Sequence, residues 1–141
     1  MRPTLEVTTN PDQADREAIG KGLLAYNESK VGRSEGGPFA IRLRDSKGSV
    51  IGGLWGRYYY RWLFVEWLSV PEGLRGQGLG TEIMRMAEAS ATDLGCIGVW
   101  LDTFEFQACG FYEKLGYSVF GQIEDYPPGS RRYFLQKRLR K

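Results

Sequence analysis

The sequence predicts a single-domain α/β fold, in which a mixed central β-sheet carries helices on both faces. Three observations support this prediction. Three apolar segments with the composition of strands follow one another closely between residues 39 and 70. A glycine-rich loop then leads directly into an amphipathic helix pattern at residue 79, and a buried strand pattern follows. Because the 141 residues contain no linker or repeat, we expect one domain over residues 1–141.

The N-terminal region predicts a strand, a helix and a loop. Residues 5–8 fit a short first strand. The sequence NPD at 10–12 is typical of a helix start, and apolar residues then recur on one helical side, so we expect a helix over 11–27. The glycine-rich segment 30–38 predicts a loop.

The next three apolar segments predict an antiparallel meander. Residues 39–44 alternate apolar and polar side chains, as a half-buried strand does. Turn residues at 45–48 lead into a second strand at 50–60, and a tight turn leads into a third at 62–70. Strands joined by such short turns are antiparallel neighbours.

The C-terminal half predicts a crossover followed by smaller elements. We expect a helix over 79–94, ended by Gly95, and a buried strand over 97–103. A strand, helix and strand joined this closely form a right-handed crossover, so the strands at 62–70 and 97–103 should be parallel neighbours. The remaining elements are a short helix at 107–115 and strands at 117–122 and 133–139.

Composition narrows the classes of function. A net charge of +2 gives no support for a nucleic-acid partner, and no apolar run reaches the roughly 18 residues of a membrane span. The N-terminus has no apolar signal segment, so we expect a cytoplasmic protein. Cys96 and Cys109 are too few for a metal site or a disulfide framework, and we expect both to be packed side chains. Because the chain has no histidine, an enzyme built from it must move protons through Glu, Asp, Tyr, Cys, Lys or water.

The stretch 63–88 contains the strongest motif. The sequence RGQGLG at 75–80 joins a strand to a helix, and exposed backbone N–H groups at a positive helix end suit a phosphate group. A P-loop would need Gly-Lys-Ser/Thr, which is absent. A dinucleotide fingerprint would need Gly-x-Gly-x-x-Gly and several βαβ units, whereas this chain predicts one such unit. The remaining alternative is that the glycines mark only a tight turn.

Two motifs together resemble one family. RGQGLG at 75–80 and FYEKLGY at 111–117, in this order and spacing, resemble the GNAT family of N-acetyltransferases, and the resemblance covers the whole chain. It implies an enzyme that transfers an acetyl group from acetyl-CoA to a primary amine of a small molecule, by direct attack in a ternary complex. The alternative is a non-catalytic CoA-binding regulatory or interaction module on the same fold.

The resemblance also implies where acetyl-CoA binds. The pyrophosphate would lie on the backbone N–H groups of the glycine loop, and the pantetheine arm would run along the end of the strand that precedes it. The acetyl carbonyl is expected near the N–H of Leu68 or Trp67. The residues implied for the cofactor are Leu68, Ser69, Val70, Arg75, Gly76, Gln77, Gly78, Leu79, Gly80, Thr81, Gln107, Phe111 and Tyr112.

The resemblance implies one catalytic residue, and the cost of a carboxylate in an apolar strand indicates a second. Tyr112 corresponds to the acid that protonates the leaving thiolate; the alternative is a packed phenol whose hydroxyl bonds a backbone group. Glu66, expected on the same strand face as Leu68, is a candidate base or amine binder. The alternatives for Glu66 are a salt bridge with Arg57 or Arg61, or a water chain that replaces a single base.

The substrate pocket is the least specified part. The resemblance implies a pocket that includes Tyr26, Asn27, Trp55, Glu66 and Asp125, and we expect these residues to bind the amine, since aromatic and acidic side chains suit a cation. The alternative for Trp55 is a place in the core or at the interface of a homodimer.

Overall fold

The structure is a computed structural model that describes residues 2–107 and 109–140. The chain divides into two compact units between Ser34 and Glu35. The first unit contains helix α1 (Gln13–Val31). The second contains a six-stranded sheet, a 3₁₀ turn (Glu72–Leu74), helix α2 (Leu79–Asp93) and helix α3 (Cys109–Lys114).

Helix α1 begins with a capping box. The Asp12 side chain accepts a hydrogen bond from the Asp15 N–H at 2.8 Å, and the Asp15 side chain accepts one from the Asp12 N–H at 3.1 Å. The helix continues to Val31, past the end predicted at residue 27. The strand predicted at 5–8 is wrong: these residues are exposed and pair with no neighbour, and a lone strand is not stable.

The second unit is built on one mixed sheet, which confirms the predicted α/β class. The meander of β1, β2 and β3 is antiparallel, and β3 and β4 are parallel neighbours, as predicted. The C-terminal strand β6 lies between β4 and β5, so the sheet order is β1-β2-β3-β4-β6-β5. The strands are β1 (Gly37–Arg44), β2 (Val50–Tyr59), β3 (Trp62–Ser69), β4 (Gly98–Phe104), β5 (Ser118–Glu124) and β6 (Arg131–Arg138).

A β-bulge interrupts β3. Trp55 of β2 faces Trp67, but the next residue, Gly56, faces Val65. Glu66 is therefore the extra residue on β3, with no partner of its own on β2. Such a bulge bends the strand and changes the direction of the side chains that follow it.

The bulge corrects one prediction. In a regular strand, Leu63 and Leu68 would lie on opposite faces because five positions separate them. Here both pack in or against the core, whereas Glu66 is exposed. The expected shared face of Glu66 and Leu68 is therefore wrong, because strict alternation does not continue through a bulge. Gly56 makes the bulge sterically feasible, since a Cβ at this position would lie 2.2 Å from the carbonyl oxygen of Phe64.

Strands β3 and β4 separate beyond the bulge. Their parallel pairing covers residues 62–65 and 98–101 only. Strand β4 continues to Phe104 and pairs with β6 along its whole length, while β3 continues to Ser69 beside β2. The carboxyl ends of the two strands are therefore open toward each other.

The core lies between α2 and the sheet. Helix α2 has an apolar side, and the sheet provides the facing layer. No helix in the described part of the chain is long and apolar enough to cross a membrane. The core residues include Leu63, Val65, Ile83, Met84, Ala87, Ala91, Val99, Leu101 and Leu135.

Candidate active site

A cavity of about 910 Å³ opens where β3 and β4 separate. Its walls come from the end of β3, the glycine loop, the start of α2, the end of β4 and helix α3. It brings together thirteen of the predicted site residues, which the sequence distributes over more than forty positions. They are Glu66, Leu68, Ser69, Val70, Arg75, Gly76, Gly78, Leu79, Gly80, Thr81, Gln107, Phe111 and Tyr112.

The glycine loop presents unpaired backbone donors to this cavity. In the described part of the chain, no N–H group of residues 76–81 has a hydrogen-bond partner. The first bond of α2 runs from the Glu82 N–H to the Gly78 carbonyl at 3.0 Å. The loop therefore combines free N–H donors with the positive end of a helix, which is an arrangement that binds anions.

Two glycines of the loop are required by their backbone conformation and not by close contact with other residues. Gly76 and Gly78 have φ values of 84° and 79°, in the left-handed region that side chains with a Cβ rarely adopt. A Cβ at either position would meet no other atom of the chain within 4 Å. These two glycines thus keep the loop in the conformation that directs its N–H groups outward.

Gly80 has a different role. A Cβ at this position would lie 3.2 Å from Cζ of Phe111, so the absent side chain lets the start of α2 approach α3 closely. Nearby, Arg75 Nε donates to the carbonyl of Val70 at 3.1 Å, which fixes the loop to the end of β3. The loop, the strand and α3 are therefore held together at the cavity.

Tyr112 lies in α3 and lines the cavity. Its ring packs edge-on against Phe111 with 5.0 Å between the ring centroids. Burial, together with the negative charge of Asp102, raises the pKa of Tyr112 to about 12, so the phenol stays protonated at neutral pH. The phenol packs against the core, as the alternative has it, but among the described residues its hydroxyl has no hydrogen-bond partner, so the expected bond to a backbone group is absent.

Glu66 is exposed at the bulge and lines the same cavity. Neither expected arginine pairs with it: the Arg57 guanidinium lies 5.9 Å from the ring centre of Phe64, and Arg61 Nε donates to the Gly95 carbonyl at 3.0 Å. Within residues 2–107 and 109–140, no ion pair involves Glu66. The carboxylate is therefore available to a ligand.

Asp102 and Phe106 also line the cavity, although neither was expected there from the sequence. Asp102 forms an ion pair with Arg132 of β6. The Arg132 guanidinium in turn stacks on Phe104 at 4.8 Å and on Tyr126 at 4.4 Å, measured to the ring centres. Alternation in β4 could have placed Asp102 on the face opposite the core, but its partner follows only from the sheet order.

The turn after β4 uses the side chain of Gln107. Its Oε1 accepts hydrogen bonds from the Phe104 N–H at 2.9 Å and from the Thr103 hydroxyl at 3.1 Å. The amide NH₂ is then the part of Gln107 that can contact a ligand. Glu105, two residues earlier, accepts a hydrogen bond from the Tyr133 hydroxyl at 3.3 Å.

Some predicted site residues do not line this cavity. Gln77 lies between two lining glycines but does not contribute to the wall, and Trp55 is half exposed on β2. The side chain of Asp125 accepts a hydrogen bond inside the turn after β5. Tyr26 and Asn27 belong to α1 in the first unit, and their role stays a prediction.

Both cysteines are protonated thiols at neutral pH. Burial raises the pKa of Cys96, and burial together with the charge of Glu113 raises the pKa of Cys109. Because the thiolate is the nucleophilic form, neither side chain is activated for covalent chemistry.

Fold and cavity together define an α/β protein whose glycine loop, at the start of a helix, suits a phosphate-bearing ligand. The sequence profile of the acetyltransferase (GNAT) family matches residues 5–117, and the chain belongs to this family. Acetyl-CoA is the acyl donor of the family.

Sequence relatives and solved structures agree with this assignment. An acetyltransferase from Agrobacterium fabrum is 38% identical over 131 residues, which cover 91% of this chain and 96% of the relative. The blasticidin-S acetyltransferase of Streptomyces morookaense is 45% identical over 102 residues, or 72% of this chain and 75% of the relative. The crystal structure of an acetyltransferase from Bacillus cereus superposes with a TM-score of 0.82 at 31% identity, covering 95% of this chain and 98% of that one. The chain is therefore an acetyltransferase.

Proposed function

We propose that this protein is an N-acetyltransferase that acetylates a primary amine of a small cationic molecule by direct attack. The observation that carries the proposal is the cavity between β3 and β4, where a protonated phenol, a free carboxylate and unpaired backbone donors meet. Amine acetylation needs all three: a site for the proton of the amine, donors for developing negative charge, and an acid for the leaving sulfur.

The glycine loop and the open end of β3 fit acetyl-CoA. The unpaired N–H groups of residues 76–81 would hold the pyrophosphate, and the backbone of Leu68, Ser69 and Val70 would guide the pantetheine arm. When bound, acetyl-CoA supplies an acetyl group activated as a thioester, and its transfer leaves CoA as the thiol. The N–H of Leu68 or Trp67 would donate to the acetyl oxygen as negative charge develops there.

Glu66 would receive the proton that the amine must lose. Its carboxylate lies in the cavity without an ion-pair partner among the described residues, and the bulge turns it away from the core. It accepts the proton either directly or through a water molecule. The same negative charge attracts a protonated amine into the cavity before reaction.

Tyr112 would donate a proton to the sulfur as the carbon–sulfur bond breaks. A pKa of about 12 keeps the phenol in its protonated form over the whole physiological pH range. The resulting phenolate is costly in a buried site, so Tyr112 regains a proton from solvent to complete the cycle.

The lining favours a cationic substrate. Glu66 supplies a carboxylate without an ion-pair partner among the described residues, and the rings of Trp67 and Phe106 add exposed aromatic faces to the same cavity. Aromatic and acidic groups together attract ammonium and guanidinium ions. Since one relative is named for blasticidin S, this antibiotic is the first amine to test.

The test is an assay of thiol release from acetyl-CoA with blasticidin S, polyamines, amino acids and a lysine-containing peptide. We expect release with a small cationic amine, and an acetylated amine in the mass spectrum. Tyr112→Phe should lower turnover by about 100-fold with little change in acetyl-CoA affinity. Tyr59→Phe on β2, which removes a hydroxyl outside the cavity, is the matched control.

Two results would contradict the proposal. Unchanged turnover in Tyr112→Phe would remove this residue as the acid. Tight CoA binding without thiol release for any amine would favour the non-catalytic CoA-binding module instead.

A further inference from the structure

Helix α3 presents Tyr112 to the cavity but cannot hold itself in place. It has 6 residues, and an isolated helix of this length is unstable in water. The direction of the Tyr112 side chain therefore depends on the groups that fix both ends of α3. Phe111 packs against Gly80 near its start, and the turn after Lys114 fixes its end.

The turn after α3 forms hydrogen bonds with the backbone of Tyr112. The backbone N–H groups of Leu115 and Tyr117 donate to the Tyr112 carbonyl at 3.0 Å and 3.1 Å. The Tyr117 ring also meets the Tyr112 ring edge-on, with 6.1 Å between centroids and 73° between planes. A shift of Tyr117 would therefore move both the backbone and the ring of Tyr112.

Tyr117 is anchored by a partly buried polar network that the proposed chemistry does not use. It is only 3% exposed, and its hydroxyl donates to Oε2 of Glu88 in α2 at 2.8 Å. Lys137 of β6 donates from Nζ to Oε1 of Glu88 and to the carbonyl of Leu115, both at 2.8 Å. The network thus ties the end of α3 to a helix and to a central strand.

The charges in the network preserve its hydrogen bonds. Burial and the neighbouring Glu88 carboxylate raise the pKa of Tyr117 far above its usual value, so its hydroxyl remains a donor. Lys137 compensates the Glu88 charge from the other side. A partly buried ion pair of this kind contributes little net stability compared with apolar packing, but its hydrogen bonds restrict the arrangement of the groups around it.

We propose that Glu88, Tyr117 and Lys137 are positioning residues that fix the Tyr112 hydroxyl at the reacting sulfur. None of the three lines the cavity. Their loss should lower turnover and leave acetyl-CoA binding intact, because the backbone donors for the coenzyme are the N–H groups of residues 76–81, none of which belongs to this network. The inference rests on the proposed acid role of Tyr112.

A double-mutant cycle between Tyr117→Phe and Tyr112→Phe tests this. Tyr117→Phe removes only the hydroxyl that donates to Glu88, and it should lower kcat about tenfold with an unchanged KM for acetyl-CoA. In the Tyr112→Phe background the same change should have no further effect on kcat, because no hydroxyl remains to be positioned. The control Tyr133→Phe, which also removes a hydroxyl bonded to a glutamate, should act equally in both backgrounds.

Each contrary outcome has its own meaning. An equal loss of kcat from Tyr117→Phe in both backgrounds would make the network merely structural and overturn the inference. Full kcat in Tyr117→Phe beside a slow Tyr112→Phe would overturn it while leaving the acid assignment standing. Full kcat in Tyr112→Phe would refute the proposed acid itself, and the positioning role with it.

Lys137→Arg and Lys137→Met form a second pair if Tyr117→Phe proves unstable. The arginine keeps the charge beside Glu88, so it should retain more kcat than the methionine at equal acetyl-CoA affinity. Equal kcat values for the two variants would contradict the network.

Discussion

Gly78→Ala tests the central feature of the glycine loop with a single methyl group. Gly78 is the N-cap of α2 at φ 79°, and a Cβ there touches no other atom of the chain within 4 Å. The substitution therefore probes conformation rather than space. Placing a residue with a Cβ in the left-handed region destabilises the folded state by about 1–2 kcal/mol. Replacing Gly by Ala also lowers the conformational entropy of the unfolded chain, which offsets about 0.4–1 kcal/mol of that cost. We expect a net loss of about 1 kcal/mol and a Tm lower by about 4 °C.

The effect on acetyl-CoA should be larger than the effect on stability. If the backbone at residue 78 of the variant changes its φ and ψ angles to relieve this strain, the neighbouring N–H groups can no longer bind the same phosphate group together. Losing one hydrogen bond to a charged group costs about 2 kcal/mol, which is roughly a 30-fold increase in Kd. Calorimetric titration with CoA measures this Kd directly, and thermal unfolding measures the stability.

Gly73→Ala is the matched control. Gly73 lies in the 3₁₀ turn just before the loop, has no positive φ, and would place a Cβ within 4 Å of no atom. It should bind CoA as the wild type does. If Gly78→Ala also keeps the wild-type Kd, the unpaired N–H groups of the loop do not hold the coenzyme, and the reasoning is wrong.

Three further predictions concern the phenol, the carboxylate and the bulge. Between pH 10 and about 12 the native Tyr112 keeps a proton that the unfolded phenol loses. The free energy of unfolding should therefore fall as the pH rises through this window, and it should fall less steeply in Tyr112→Phe. Equal slopes for the two proteins would contradict the raised pKa. Glu66→Gln should lower kcat/KM for the amine about 100-fold and leave the Kd for CoA unchanged; retained activity would point to a water chain without Glu66. Gly56→Ala should lower the free energy of unfolding by about 2 kcal/mol in a urea titration, because its Cβ would lie 2.2 Å from the Phe64 carbonyl oxygen; wild-type stability would mean that the bulge adapts.

Local patterns were sufficient for most of the fold. Alternation, glycines and prolines placed the meander, α2 and the parallel pair within a few residues, because each of these elements buries one face against the core. The same patterns failed at 5–8, where a strand-like sequence has no partner. They also failed at Glu66, because a bulge adds one residue without changing the composition of the strand.

The site was predictable where backbone geometry defines it and less so where side chains meet across strands. The glycine loop carries its own signal in φ values that only glycine adopts readily, and the structure places it at the cavity. The ion pair of Asp102 with Arg132 depends on β6 lying beside β4, which no local pattern specifies. The use of Gln107 Oε1 inside a turn likewise depends on contacts that only the folded chain provides.

The position of β6 has a consequence for the order of folding during synthesis. This strand follows β4 and β5 along the chain, yet it lies between them in the sheet and buries Leu135 completely. Until residues 131–138 have left the ribosome, β4 lacks the strand with which it pairs beyond the point where it separates from β3. Strand β5 then also lacks β6, the strand it pairs with among the described residues. Nascent chains that end before residue 131 should therefore remain sensitive to protease, and the coenzyme cavity should form only after β6 is released.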